Sequence, residues 1–263
     1  MEKRRLKLKY RNILNILVII LAIICLITAI YSFTNIIIWK VNVNKNNTIK
    51  NNLKKFVIVK EKVIKEDDTI DNNEEEVFNV DFNKLKQMNS DTVAYLKVNN
   101  SKIDYVVVKG NDNDYYLNHN FNKEYNRSGW IFADYHNKFD GTDKNIVIYG
   151  HNTADGSMFG TLRNAYNKEW NDNLENRLIT LITESGTYRY EIFSTYNIEP
   201  EDFYINTEFN NKEDYLNFLN VIRIRTFYDY KVKVTENDNI LTLSTCTSNG
   251  TKRLVLHAKL IKD

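Results

Sequence analysis

Hydrophobic and polar positions divide the chain into three stretches. Residues 13–39, ILNILVIILAIICLITAIYSFTNIIIW, run apolar without a charged residue. With about 1.5 Å of helical rise per residue, roughly 20 apolar residues cross a bilayer core, so this segment is long enough to span a membrane. Residues 40–77 are polar and of mixed charge, ending in EKVIKEDDTIDNNEEE, and read as a solvated linker with some helix around 48–65. From Phe78 the period changes. DFNKLKQMN predicts a short helix opened by Asp81. Short runs rich in Val, Ile, Tyr and Thr follow: VAYLKV, KIDYVVV, GWIFAD, NIVIYG, RLITLIT, TYRYEIFSTYNI, YKVKVT, NILTLSTC and RLVLHAKLI. Asn, Asp, Gly and Ser punctuate them, which predicts the strands of a β-barrel or sandwich. One interval differs: residues 212–226, KEDYLNFLNVIRIRT, space Tyr215, Leu216, Leu219, Ile222 and Ile224 as one face of a helix laid on the barrel before its last strands.

Charge orients the apolar segment. Lys3, Arg4, Arg5, Lys7, Lys9 and Arg11 precede it against a single Glu2, and basic flanks stay in the cytoplasm. A cleaved signal peptide would have an apolar region of about 7–15 residues and a small-x-small exit. Here the run is longer and ends in Ile36, Ile37, Ile38 and Trp39. The organisation expected is a cytoplasmic basic tail (1–12), a transmembrane signal anchor (13–39), a polar linker (40–77) and an extracellular globular domain (78–263).

Composition adds bounds. The 263 residues are 43% hydrophobic and 27% charged, enough for one substantial core, and a net charge of +2 gives no reason to expect a nucleic-acid partner. The two cysteines, Cys25 and Cys246, exclude a disulfide framework in the globular part and a Cys-rich zinc site. Cys25 lies in the apolar segment and reads as a small hydrophobe. Cys246 ends an apolar strand in a domain expected outside the cell, where an unpaired thiol is open to oxidation and so calls for a reason.

A nucleophilic cysteine needs a proton-transfer partner and a group that stabilises an oxyanion. Of the four histidines, His257 falls inside the last strand, and His119 and His136 fall in polar loops, so all three read as structural or surface residues. His151 follows the strand NIVIY and a glycine, Gly150, which would turn the chain and leave His151 at the strand's exit. Arg253 begins the next strand after Cys246. If those strands pair antiparallel, a permanently charged guanidinium and the thiol share one groove.

TLSTC followed by RLVLHAKL, with NIVIYGHN, GSMFGTL, KGNDNDYYLNHNF and SGWIFADY upstream, resembles the class B sortases of Gram-positive bacteria across roughly residues 80–263. The resemblance implies an eight-stranded sortase-type β-barrel, mostly β, with N-terminal helices and one helix before the last two strands. It implies a membrane-anchored cysteine transpeptidase that uses no cofactor or metal. Such an enzyme would cleave a C-terminal sorting signal of secreted proteins after Thr, hold the acyl group as a thioester, and pass it to an amine of peptidoglycan or its lipid-linked precursor. By motif position it makes Cys246 the nucleophile, His151 the general acid/base and Arg253 the residue that orients the substrate or holds the oxyanion. By block alignment it places the substrate groove at Asn113, Leu117, Tyr149, Tyr204, Ile205 and Ser244. The chain departs from the family where AYLKV stands for a common Gly-Trp-Ile run, in a short Cys-to-Arg loop, TSNGTK, and in Thr247, where an acidic residue often follows the cysteine; these bear on loop shape and motif preference. Alternatives with the same nucleophile are a cysteine endopeptidase, which would not depend on an amine, and an L,D-transpeptidase, whose Cys and His normally lie close in sequence. A non-enzymatic binding protein would lack a member of the Cys–His–Arg set.

Overall fold

The computed structural model describes residues 2–60, 77–246 and 251–262. The expectations for residues 61–76 of the linker, for Thr247 and for the loop it opens lie outside the described residues. The chain divides into two compact units, residues 1–44 and 45–263. A single helix, α1 (Glu2–Leu53), contributes to both. In the first unit it is long and apolar enough to cross a membrane. Its large side chains from Ile13 to Ile38 are exposed on every face rather than along one stripe.

In the second unit the end of α1 differs from a solvated linker. Asn46, Ile49 and Leu53 are buried. Their spacing of three and four residues makes a helical stripe, narrow enough to be lost in a stretch that is polar on average. The Asn46 side chain donates to the Gly129 carbonyl (3.0 Å) and accepts from Asn126 Nδ2 (2.9 Å). Strands β1 (Val57–Lys60) and β2 (Val77–Val80) then form an antiparallel pair. Helix α2 (Phe82–Met88) follows, capped by Asp81, whose carboxylate accepts from Lys84 N at 2.9 Å.

Eight strands build the barrel: β3 (Thr92–Val98), β4 (Asp104–Val108), β5 (Phe132–Ala133), β6 (Asn145–Tyr149), β7 (Leu178–Thr183), β8 (Gly186–Ile198), β9 (Ile240–Cys246) and β10 (Arg253–Leu260). They close in the order β10-β8-β7-β3-β4-β5-β6-β9, with β4/β5 and β6/β9 parallel. Closure leaves no free edge. Helix α3 (Lys168–Asp172) lies between β6 and β7, and α4 (Lys212–Ile224) between β8 and β9.

Period-two alternation explains why β10 is buried on both faces. Leu254, Leu256 and Ala258 point into the barrel core with Leu96, Val107, Ile148, Leu241 and Leu243. Val255 points outward into a second apolar cluster with Phe193, Tyr196, Tyr215, Phe218, Leu219 and Ile222, beneath α4. The buried face of α4 is therefore Tyr215, Phe218, Leu219 and Ile222. Ile224 is 76% exposed and does not belong to it: it lies beyond the stripe, whereas Phe218 completes the i, i+3, i+4, i+7 set.

One expected strand is absent. YKVKVT, residues 230–235, forms no strand and pairs with none among the described residues. Lys231 adopts a left-handed conformation (φ 62°), which interrupts a ladder. The alternation that suggests a strand arises because Tyr230, Val232 and Val234 pack on the core clusters while Lys231 and Lys233 face solvent.

Candidate active site

Backbone pairing brings three distant sequence positions to one end of the barrel. In the antiparallel β9/β10 pair, Cys246 stands directly opposite Arg253. In the parallel β6/β9 pair, Tyr149 stands beside Ser244, and Gly150 N donates to the Ser244 carbonyl at 3.2 Å. The ladder ends there, and His151 follows two residues after Tyr149, at the exit of β6. Arg253 is partly buried, with Nη1 donating to the Lys252 carbonyl at 3.3 Å.

Gly150 acts by close approach rather than by a special turn. A Cβ there would lie 2.5 Å from Ile131 Cδ1 and 2.8 Å from Phe159 Cγ. Only a residue without a side chain lets β6 leave the barrel against these two core groups. The His151 carbonyl then accepts from Phe159 N (3.0 Å), which pins the segment that follows.

His151 Nε2 lies 2.7 Å from the Leu117 carbonyl. A carbonyl only accepts, so Nε2 carries the hydrogen, and Nδ1 has no hydrogen-bond partner among the described residues. Leu117 thus contributes its backbone oxygen. It ends a short turn, residues 115–117, held by Trp130 N donating to the Tyr116 carbonyl (3.0 Å). Gly129 beside it (φ 54°) could not carry a Cβ, which would lie 2.4 Å from the Tyr116 oxygen.

The residues assigned to a substrate groove fall into two groups around this rim. Tyr204 Oη and Ser244 Oγ hydrogen-bond at 3.0 Å, both buried, with Ile205 packed on the cluster beneath α4. Asn113 and Tyr149 meet at a residue the sequence reading passed over, Asp134, directly after β5. Tyr149 Oη (2.7 Å) and Asn113 Nδ2 (2.8 Å) both donate to Asp134 Oδ2. His136 presents its backbone N (3.0 Å) and its ring Nδ1 (2.8 Å) to Oδ1. Burial first, then the charge of Asp134, pushes the Tyr149 phenol far up. An Asp two residues before a His at a strand's end is the signature of a local side-chain turn and was legible as such. Its link to Asn113 crosses loops and was not.

The other histidines hold structural places. His119 bonds through Nδ1 to the Tyr115 carbonyl (2.8 Å) and stacks on the Tyr115 ring, centroids 4.0 Å apart. His257 is wholly buried between Tyr196 Oη on Nε2 and Thr242 Oγ1 on Nδ1, each at 2.8 Å. Burial, and then Arg225, lowers its pKa to about 3. Among the described residues, no group of three or more His, Cys, Asp or Glu could hold a metal ion.

A barrel of this order, with cysteine and arginine opposite each other on its last two strands and a histidine directly after the adjoining strand β6, is the architecture of a sortase transpeptidase. Residues 96–261 match the family model of the sortase domain. Sortase B of Staphylococcus aureus (strain NCTC 8325 / PS 47) is 33% identical over 184 residues, 69% of this chain and 75% of that protein. The crystal structure of Clostridium perfringens sortase B shares 38% identity and superposes with a TM-score of 0.65, covering 69% of this chain and 100% of that one. Bacillus anthracis sortase B in complex with AAEK1 shares 31% identity with a TM-score of 0.71, covering 85% of this chain and 99% of that one. The chain belongs to the sortase family, within class B.

Proposed function

We propose that the protein cleaves a C-terminal sorting signal of secreted proteins after Thr, holds the acyl group as a thioester on Cys246, and transfers it to an amine of cell-wall peptidoglycan or its lipid-linked precursor. The observation that carries this is the strand register: Cys246 stands opposite Arg253, and His151 follows two residues past the Tyr149–Ser244 pair of the adjoining β6/β9 ladder. The Cys246 thiolate adds to the scissile carbonyl carbon, and the oxyanion falls within reach of the Arg253 fork. The C–N bond breaks, and the leaving amine takes a proton from His151 Nδ1. The acceptor amine then attacks the thioester, loses its proton to the same nitrogen and releases the thiolate. Each step moves one proton, and none needs a cofactor. The Nε2 bond to Leu117 keeps the other ring nitrogen aimed at this exchange throughout.

Among solved relatives, a Staphylococcus aureus sortase B–substrate complex and a sortase B complexed with triglycine support a peptide substrate and an amine nucleophile. The exposed apolar helix and the basic residues before it support a single-pass anchor with the N-terminus in the cytoplasm and the barrel outside. Asn113, Leu117, Tyr149, Tyr204, Ile205 and Ser244 line the peptide groove in this reading.

Mass spectrometry of the full-length protein in detergent, mixed with LPxTG-like and NPxTx-like peptides with and without an amine, tests the reaction class. An acyl adduct on Cys246 and an amine-dependent ligated product are expected, and Cys246→Ala should give neither. Cleavage that ignores the amine would make the protein an endopeptidase instead. Arg253→Lys should be severely impaired, because a point charge does not replace a planar fork; a rate near that of the native protein would remove Arg253 from the site.

A further inference from the structure

We propose that Asp134 is a positioning residue that fixes the hydrogen-bonding polarity of the substrate groove, so that Asn113 and Tyr149 together present one donor and one acceptor to an amide group of the bound peptide. This rests on the reading of Asn113 and Tyr149 as groove residues.

Four groups converge on the buried Asp134 side chain: Asn113 Nδ2, Tyr149 Oη, His136 N and His136 Nδ1. One of its oxygens, Oδ2, holds both groove residues, at 2.8 and 2.7 Å. The Asn113 amide cannot flip, because its Oδ1 already accepts from Tyr135 N at 3.2 Å. One Nδ2 hydrogen is spent on Asp134, so the other is the donor Asn113 has left. The Tyr149 hydrogen is likewise spent on Asp134, which leaves the phenol oxygen's lone pairs as acceptor. Without the carboxylate, the Tyr149 hydroxyl would rotate freely between donor and acceptor and the Asn113 side chain would lose a tether. A preset donor beside a preset acceptor complements an amide, which offers a carbonyl oxygen and an N–H, and excludes an ester, which has no N–H to give. The pair stands at the rim because Tyr149 is the last residue of β6 and pairs with Ser244, two residues before Cys246. Asp134 itself touches no reacting atom; it acts through the two side chains it holds.

The test is steady-state transpeptidation by the full-length protein in detergent, with the alkylation rate of Cys246 by iodoacetamide read in parallel. Asp134→Asn is expected to raise KM about ten- to a hundredfold, with kcat and the alkylation rate little changed. In an Asn113→Ala, Tyr149→Phe background the same substitution should add almost nothing, since the groups it positions are gone. Should Asp134→Asn not fold, the single variants read the coupling instead. Asn113→Ala and Tyr149→Phe share one carboxylate oxygen, so their effects on KM should combine to less than the product. A full extra factor from Asp134→Asn in the double background, a product of the single effects, or a loss confined to kcat and alkylation would overturn the role of Asp134. If Asn113→Ala with Tyr149→Phe leaves KM unchanged, the groove assignment itself falls and takes the proposal with it, a result separable from the others because Asp134 is then intact.

Discussion

His257 lies in β10, paired with Thr242 of β9, and His151 follows the end of β6, the strand on the other side of β9. They have opposite surroundings. His257 is enclosed in a chain of committed bonds. The Asn145 amide donates to the Asn206 carbonyl (2.9 Å), which turns its oxygen toward Thr242 Oγ1 (2.7 Å). Thr242 gives its hydrogen to Asn145, so it accepts from His257 Nδ1, and Tyr196 donates to Nε2. Both ring nitrogens are spoken for, and a second ring hydrogen has nowhere to go. His151 has one nitrogen fixed by a carbonyl, and the other has no hydrogen-bond partner among the described residues. The same imidazole thus becomes packing in one place and a candidate acid/base in the other, and the difference lies in how many of its hydrogen bonds the fold has already used.

Swapping each ring for an amide sharpens that contrast most. His151→Gln should lower transpeptidation by about 10²–10⁴-fold and leave the denaturant midpoint near that of the native protein. His257→Gln should do the reverse, destabilising by about 3 kcal/mol through mispaired Thr242 and Tyr196 while folded molecules keep most of their activity. Both are read by paired assays of turnover and urea unfolding.

The enclosure of His257 also gives stability a pH dependence. His257 titrates at about 3 in the folded protein against its ordinary value of 6.5. Between those values the unfolded chain binds the extra proton, so this histidine's contribution is whole above about pH 6.5 and is lost as pH falls toward 3. The expected slope is at most about 1.4 kcal/mol per pH unit. His257→Phe should flatten that limb of the pH dependence, read by urea unfolding at a series of pH values.

Gly150→Ala tests whether close packing holds His151 in place. It is expected to cost about 1–3 kcal/mol in stability and to reduce turnover of the folded enzyme. Unchanged turnover would mean that the exit of β6 tolerates displacement. A smaller effect is expected at the far side of the Leu117 turn: Asn46→Ala removes two buried hydrogen bonds and should cost about 1–2 kcal/mol by thermal or urea unfolding.

Much of this was legible because it follows local rules. Each of the eight barrel strands falls on one of the short apolar runs, and the register then sets TLSTC against RLVLHAKL. YKVKVT misleads because alternating burial does not require a paired neighbour. The stripe of Asn46, Ile49 and Leu53 is masked by the polar residues around it. Asp134 escapes because its importance lies in partners brought from a loop after β4 and from the end of β6, and no spacing in the sequence announces them. Gly150 stands out in the sequence for its place after a strand, but the reason it must be glycine, two core side chains at its Cα, exists only in three dimensions.

The most direct measurement is the intact mass of the full-length protein after mixing with a cleavable sorting peptide and an amine, in native, His151→Gln and His257→Gln forms. The native and His257→Gln proteins should pass through an acyl adduct on Cys246 and yield the ligated product, while His151→Gln yields almost none. Equal product from native and His151→Gln protein, or an adduct on a residue other than Cys246, would contradict the account.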